Sequence, residues 1–578
     1  MSFIEALSGF LIHNWLLVAV FLTYALLVVL LDRHGTLSKY NITVHYFLFI
    51  PVLMIRTQRG QKFLERIAIH KRFWRLFANI GLPAMLIGMI VMFLLLIFID
   101  YAMIQSFQTQ TVPPPGKFNE PRNIFLIPGI NEYIPLWWGI IALVVTLVVH
   151  EFSHAILCKV EGIKVKSMGL LVALFPIGGF AEPDEEQLLG KKAESGKEMQ
   201  EPDEPKKLAT RSERVRVLTA GVMANFVTAL IAFILFFSFL GSISPVGEVM
   251  VTGVVTGSPA ELAGVRTNMI LTGINDKQIN NGSEFLSYAS ELKPGTKITL
   301  QLIDNKVRRS ISLVTMGGNQ TSFGVRIFDV LPGSPAEAAG LKPDMILTRL
   351  DNTEIMGLEN FSEFMNSTKP GQKIDVQVRS NSSLNASTLV FENLELAKHP
   401  HDTEIKKGFM GVTYFSEGGA ISYSIGIGIG QFQAKGFLGM LQSIPSLLNG
   451  ATGWILLFSL PIYGFAGEGF PGFSGLITNF YEPVGIVAFM GDGIFWLLNI
   501  LLWVGWMNFY VGLFNCLPAL PLDGGHVFRD VVATSLSRFF GNGEKIERIS
   551  NAIAVMLAIM ILGSLVLVTF APYAAYGF

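Results

Sequence analysis

The sequence predicts a polytopic α-helical membrane protein of about six transmembrane helices, with two β-rich extracytoplasmic domains inserted between its spans. Three observations carry that prediction. Of the 578 residues, 51% are hydrophobic and only 15% charged, whereas a soluble domain carries about a quarter charged residues; the mean hydropathy is +0.48. Six apolar runs each approach the ~20 residues that a membrane crossing requires. A markedly more polar stretch between the fourth and fifth runs repeats itself. The net charge of −1 gives no electrostatic footprint for nucleic acid, so none is expected as a partner. The two cysteines, Cys158 and Cys516, form neither a disulfide framework nor a CxxC site.

The spans are read at Leu11–Leu31, Ile80–Ile99, Ile134–Cys158, Val217–Leu240, Ile494–Leu517 and Ala552–Phe570. The first fourteen residues contain no Lys or Arg and no A-x-A pattern follows, so the first run is expected to remain as an anchor. The next loop carries Arg33, Lys39, Arg56, Arg59, Lys62, Arg66, Lys71, Arg72 and Arg75. Short basic loops stay cytoplasmic, which puts the N-terminus outside, 159–216 inside, 241–431 outside, and the stretch from Arg529 to Arg548 inside. Gly450–Phe465 is apolar but short and broken by Pro461. It is expected to lie on or dip into the outer leaflet.

Six segments follow. Residues 1–130 form a transmembrane hairpin with a basic cytoplasmic loop, to which no role is assigned. Residues 131–242 form the first half of a membrane core, 243–316 and 317–398 the two β-rich domains, 399–480 a membrane-associating connector, and 481–578 the second half of the core. Within the polar stretch, GSPAELAGVRTNMILTGIND (257–276) is echoed by GSPAEAAGLKPDMILTRLDN (333–352). In each copy Ser-Pro opens a short helix with proline at the first helical position, and a glycine stops it. Alternating strands such as KITLQLI and KIDVQVR follow. The pair resembles tandem PDZ domains of bacterial membrane and periplasmic proteases, which implies capture of extended chain ends by strand addition.

The chemistry-bearing residues lie within the apolar runs. His150-Glu151-Phe152-Ser153-His154 is an HExxH pattern. Four residues make about one helical turn, so both imidazoles face one ion, with Glu151 placed as a general base. The pattern ends the run WWGIIALVVTLVV, and ionisable groups inside a span are costly and functional by default; the plain alternative is a polar cluster between helices. A catalytic zinc takes three protein ligands and a water. Asp523 is the natural third, because it follows an apolar span at a point where Pro518, Pro521, Gly524 and Gly525 permit irregular backbone. His526 reads as a local cap or loop residue.

HExxH together with Asn515-x-x-Pro518-x-x-x-x-Asp523-Gly524 resembles the site-2 protease family of intramembrane metalloproteases, of the prokaryotic kind with tandem PDZ domains. Three further echoes exist. Gly178-Gly179-Phe180 is similar to the family's membrane-reentrant β-loop; Gly221-Val-Met-Ala-Asn225 is similar to a G-P-x-x-N motif with Val222 in place of proline; Glu482-Pro483-Val484 is similar to a G-P-V motif lacking its glycine. The resemblance covers about 134–578. It implies one Zn²⁺ per chain on His150, His154 and Asp523, with Glu151 catalytic. It also implies single-span membrane proteins as substrates, and an active site within the bilayer near the cytoplasmic face of a multi-pass cell-membrane protein. Gly178, Gly179 and Phe180 would pair with an extended substrate. Asn225 and Asn515 would contact substrate or, equally, join helices by hydrogen bonds. Two rival readings are a PDZ scaffold without turnover and a metal transporter. Intact His150, Glu151, His154 and Asp523 argue against the first, and spans without an internal repeat argue against the second.

Overall fold

The computed structural model describes residues 15–576 apart from the stretches 58–60, 190–206, 317–320, 380–387, 399–406, 415–419 and 464–469 and scattered gaps of one or two residues. The chain divides into two compact units. Met1–Phe236, Phe458–Pro471 and Asn499–Phe578 form the first, and Phe237–Leu457 with Gly472–Leu498 the second.

The main helices that enter the first unit are α1 (Trp15–Arg33), α2 (Lys71–Gln108), α3 (Leu136–Glu161), α4 (Arg211–Leu240), α5 (Gly493–Asn515), α6 (Asp523–Leu536) and α7 (Gly543–Tyr576). Among the described residues, five (α2, α3, α4, α5 and α7) are long and apolar enough to cross a membrane. They contain or overlap the last five expected spans. The first expected span corresponds to α1, which has 19 residues; its positions 11–14 lie outside the described residues. The stretch Gly450–Phe465 holds a 13-residue helix, Ala451–Tyr463, interrupted by Pro461. At about 1.5 Å per residue it is near 20 Å long, short of the ~30 Å hydrocarbon layer. Phe458 stacks on Phe509 of α5 at 3.8 Å between ring centres. The Phe458 carbonyl accepts from Trp506 Nε1–H at 2.9 Å, which gives the buried indole the partner it needs.

Beside the helices lies a four-stranded antiparallel sheet, ordered β1 (Ile42–Phe47), β2 (Ile50–Thr57), β3 (Val165–Val172) and β4 (Pro176–Pro183). The hairpin β3–β4 is the stretch expected as a β-loop, and Gly178, Gly179 and Phe180 face Leu171, Leu170 and Gly169 across it. Two of the four strands come from the N-terminal segment, where Ile55 and Arg56 pair with Leu170 and Gly169.

That segment, left without a role by the sequence, is built into the membrane core. Leu64, Ala68 and Ala78 share a buried cluster with Ala155, Ile156 and Leu157 of α3 and Val217 and Ala220 of α4. Met85 and Met89 of α2 pack with Val222, Cys516 and Val527. Glycines allow this approach. A Cβ at Gly81 would meet the Met223 side chain at 2.9 Å, and one at Gly88 would meet Cys516 Sγ at 2.8 Å. Small residues at such crossings bring membrane helices into close backbone contact.

The second unit contains two main antiparallel sheets. In the first, Val307–Val314, Lys297–Asp304, Ile270–Ile274, Val249–Val254, Ile427–Gln431, Ala420–Ser422 and Thr321–Ser322 lie side by side. In the second the order is Thr388–Glu395, Lys373–Arg379, Ile346–Leu350, Val325–Val330 and Val412–Tyr414. Alternation builds each core: Ile298, Leu300 and Leu302 are buried in one, Ile374, Val376 and Val378 in the other. Ser258 and Ser334 cap the helices that follow them, accepting from the amides of Glu261 and Glu337. Within the segment 399–480, expected as a membrane-associating connector, Val412–Tyr414 lies beside Val325–Val330 and Ile427–Gln431 beside Val249–Val254. The physical reason is burial, since Ile425, Ile427 and Ile429 complete the first apolar core.

Candidate metal centre

The site is assembled from α3, α4 and the α5–α6 turn, all in the first unit. Helix α3 runs 26 residues and is stopped by Gly162 in the left-handed conformation, whose amide donates to the Cys158 and Lys159 carbonyls. One turn apart on it, His150 and His154 stand edge to face, with ring centres 4.6 Å apart. Helix α5 ends at Asn515, and the chain doubles back through Pro518 and Pro521 before α6 begins at Asp523. The doubling back is tight: a Cβ at Gly524 would meet the Cys516 carbonyl oxygen at 2.5 Å. Asp523 therefore sits in the first turn of α6, where the helix dipole favours a carboxylate.

Three ligand atoms converge. His150 Nε2 and His154 Nε2 are 3.1 Å apart, and Asp523 Oδ2 lies 3.1 Å from the first and 3.2 Å from the second. Tetrahedral zinc with bonds near ~2.05 Å spaces its ligands by about 3.3 Å, so this triangle has the required size. The other ring nitrogens are engaged. His154 Nδ1 is 2.8 Å from the Val217 carbonyl, which can only accept, so Nδ1 carries the proton and Nε2 presents its lone pair. His150 Nδ1 lies 3.2 Å from the Asn225 amide. Turning the Asn225 carbonyl oxygen toward it sets the same tautomer and also gives a partner to Oδ1, which is otherwise buried without one. Asp523 Oδ2 is likewise buried without a hydrogen-bond partner. Two lone pairs and a carboxylate oxygen crowded at 3.1 Å repel one another unless a cation lies between them. The donor set therefore fits a divalent metal. Histidine ligands held by acceptors on their far nitrogens are the usual arrangement around zinc.

Helix α4 supplies what the ligands lean on. Val217, Gly221 and Asn225 recur every four residues along one face, and a Cβ at Gly221 would fall 2.6 Å from His154 Nε2 and 2.7 Å from His150 Cε1. Gly221 entered the sequence reading only as the first residue of the motif that ends at Asn225, and Val217 only as the start of an expected span. The signal for Val217 was the four-residue spacing back from Gly221 and Asn225. A cavity of about 320 Å³ opens at the centre, lined by Glu151 and Asn515 with the three ligands, and also by Pro183 at the end of β4. Asn515 Nδ2 donates to its own helix at the Val511 carbonyl, 3.1 Å away. Gly178, Gly179 and Phe180 lie on β4, a terminal strand of the sheet, whose last residue lines this cavity.

A family model, Peptidase family M50, matches residues 138–561, an interval that holds every residue of this centre. An uncharacterized protein of Methanocaldococcus jannaschii is 27% identical over 277 residues, 47% of this chain and 65% of that protein. A protein of Clostridium acetobutylicum, provisionally named a zinc metalloprotease, is 22% identical over 194 residues, 30% of this chain and 52% of the relative. The periplasmic pH-dependent serine endoprotease DegQ of Escherichia coli is 26% identical over 158 residues, 23% of this chain and 34% of DegQ. The chain thus spans less than two thirds of the length of each of these relatives. Two converging imidazoles, a carboxylate from a distant helix and a family match across nearly three quarters of the sequence lead to one conclusion: the chain belongs to peptidase family M50.

Proposed function

We propose that the protein is an intramembrane zinc metalloendopeptidase that cuts single-span membrane proteins, with PDZ-like domains controlling which substrates reach the site. The observation that carries this reading is the triangle of His150, His154 and Asp523 beside Glu151, set on helices long and apolar enough to span a bilayer. Zinc held there supplies Lewis-acid polarisation of the scissile carbonyl and a water of lowered pKa. Glu151 takes the proton of the attacking water and returns it to the leaving nitrogen. Val217 holds the His154 imidazole in the tautomer that leaves Nε2 free, and Asn225, with its carbonyl oxygen turned toward His150 Nδ1, would do the same for His150.

A helical substrate hides its amides in its own hydrogen bonds, so it must unwind before a carbonyl reaches the site. In lipid the freed groups need partners. Strand β4 offers them: among the described residues it pairs with β3 and with no other named strand. An extended substrate added along Gly178–Phe180 would lead toward Pro183 and the cavity. Asn515, which lines that cavity, is placed to contact the substrate backbone. The two sheet cores of 249–431 support a PDZ-like reading, in which strand addition or steric exclusion selects substrates by their outer domains.

Zinc content tests the centre. Purified protein should hold about one zinc per chain, and Asp523→Ala should lose most of it; full occupancy in that variant would remove Asp523 from the ligand set. Orientation is tested separately. Cys158 and Cys516 are both buried, so an introduced cysteine reports alone. With the β-rich unit outside, Asn305→Cys should react with a membrane-impermeant thiol reagent in intact cells and Glu544→Cys should not. Reversed labelling would turn the protein over in the membrane.

A further inference from the structure

Two buried carboxylates outside the metal centre occupy matched positions. Glu161 lies seven residues beyond His154 on α3, and Asp530 seven beyond Asp523 on α6. Seven residues are close to two helical turns, so each carboxylate shares a face with a ligand about 10 Å away. The Glu161 side chain is wholly buried and Asp530 is 2% exposed. Both pair with the opening turns of α4. Arg216 Nε donates to Glu161 at 2.7 Å, and Arg214 Nε donates to Asp530 at 2.9 Å. Arg75 of α2 adds a two-point contact to Glu161 at 3.1 and 2.9 Å, and Arg529 caps the remaining Asp530 oxygen at 3.2 Å.

We propose that Glu161 and Asp530 are positioning residues of the metal centre, clamping α3 and α6 to Arg216 and Arg214 of α4 so that the histidine pair and Asp523 meet at metal-binding distance. This inference rests on the zinc reading above. The ligands come from helices more than 360 residues apart in sequence, and the α5–α6 turn alone does not set the height of α6 against α3. Helix α4 touches both. It carries Val217 and Asn225 against the imidazoles and, at its start, one arginine directed to each ligand-bearing helix. Arg214 and Arg216 are two residues apart, hence about 200° apart around the helix, which points them to opposite sides. A buried ion pair seldom adds net stability, because desolvation cancels its attraction. Two such pairs on one helix, each two turns from a ligand, are better explained by register than by stability.

The test separates register from folding. Removing one partner would strand a buried charge, so the paired groups are replaced together: Arg214→Met and Arg529→Met with Asp530→Leu, and in a second protein Arg216→Met with Glu161→Leu, where Arg75 is half exposed and keeps its charge in water. Apolar replacement of buried ion pairs and triads is typically neutral or stabilising, so these apolar variants should fold. Each is loaded with Co²⁺ in place of zinc, and its ligand-field absorption and the rate of metal loss to a chelator are compared with the parent. The clamp predicts a shifted absorption and metal affinity weaker by about 10- to 100-fold, the range for residues that support metal ligands. The charge-swapped Arg214→Asp/Asp530→Arg protein should recover part of the loss. Parent-like spectra and affinity in both apolar variants would overturn the clamp and leave the zinc reading intact. A parent protein that binds no metal would overturn the zinc reading itself, and the clamp with it. Should an apolar variant not fold, the charge swap decides alone: a parent-like melting temperature with metal affinity still about 100-fold or more below the parent, even though the charges are paired, would also overturn it.

Discussion

Replacing Glu151 with glutamine should lower peptide cleavage by at least ~100-fold while leaving the metal in place. The two halves of that expectation come from different atoms. His150, His154 and Asp523 provide the converging ligand atoms, and none is altered. Glu151 is adjacent to His150 in sequence and lines the same cavity, but it is not part of the ligand triangle. Glutamine has nearly the same shape and still accepts hydrogen bonds, yet it cannot accept a proton at neutral pH. Loss of a positioned base typically costs 10²–10⁴ in rate. The measurement is cleavage of a reconstituted single-span substrate together with zinc analysis of the same preparation. Zinc lost in parallel with activity would make Glu151 a ligand. Activity kept within a few-fold of the parent would assign the proton transfer to another group. Asp523→Ala provides the contrast, since it should lose metal and activity together.

The parts of the site that follow helical periodicity were legible in the sequence. HExxH places two imidazoles one turn apart whatever the surroundings, and Asp523 follows an apolar run at a point where prolines and glycines let the chain turn inward. The supporting shell was harder to read. Val217 acts through its backbone carbonyl, which every residue possesses, so no residue type announces it. Asn225 was left between two roles because an amide in a span can face substrate or another helix with equal economy, and only its 3.2 Å approach to His150 distinguishes them. The N-terminal segment was the largest omission. Its strand β2 pairs through backbone atoms to residues more than 100 positions away, and long-range pairing leaves no local periodic signal. Nothing in the sequence separates Glu161 and Asp530 from ordinary solvated charges; their burial depends on arginines from α2, α4 and α6. The fold of the polar unit was legible strand by strand, while the return of Ile427–Gln431 to pair with Val249–Val254 was not. A short apolar strand carries no mark of which sheet it will join.

Gly221→Ala should disrupt the metal centre although it changes neither a ligand nor a charge. The added methyl would stand 2.6 Å from His154 Nε2 and 2.7 Å from His150 Cε1, closer than carbon and nitrogen can approach without contact strain, so either the rings or α4 must move. The rings are held at their far nitrogens by Val217 and Asn225, which belong to the same helix and would move with it. The helix is held in turn. A Cβ at Gly81 of α2 would already collide with Met223, so that crossing has no slack, and Phe226 lies against Gly512 of α5 with a similar lack of space. Displacing an imidazole by a few tenths of an ångström is enough to spoil a tetrahedral site, and a loss of about 10- to 100-fold in metal affinity is expected. Alanine is otherwise the better helix former, by roughly 1 kcal/mol, so general destabilisation of α4 is not the anticipated cause. Gly563→Ala is the matched control: it too lies in a long apolar helix, α7, and a Cβ there meets nothing within 4 Å. The control should keep parental zinc content and the same cobalt absorption, while Gly221→Ala loses zinc to a chelator faster and shows altered cobalt bands. Parental metal binding in both variants would mean that α4 does not lie against the imidazoles, and the positions of Val217 and Asn225 would fall with it.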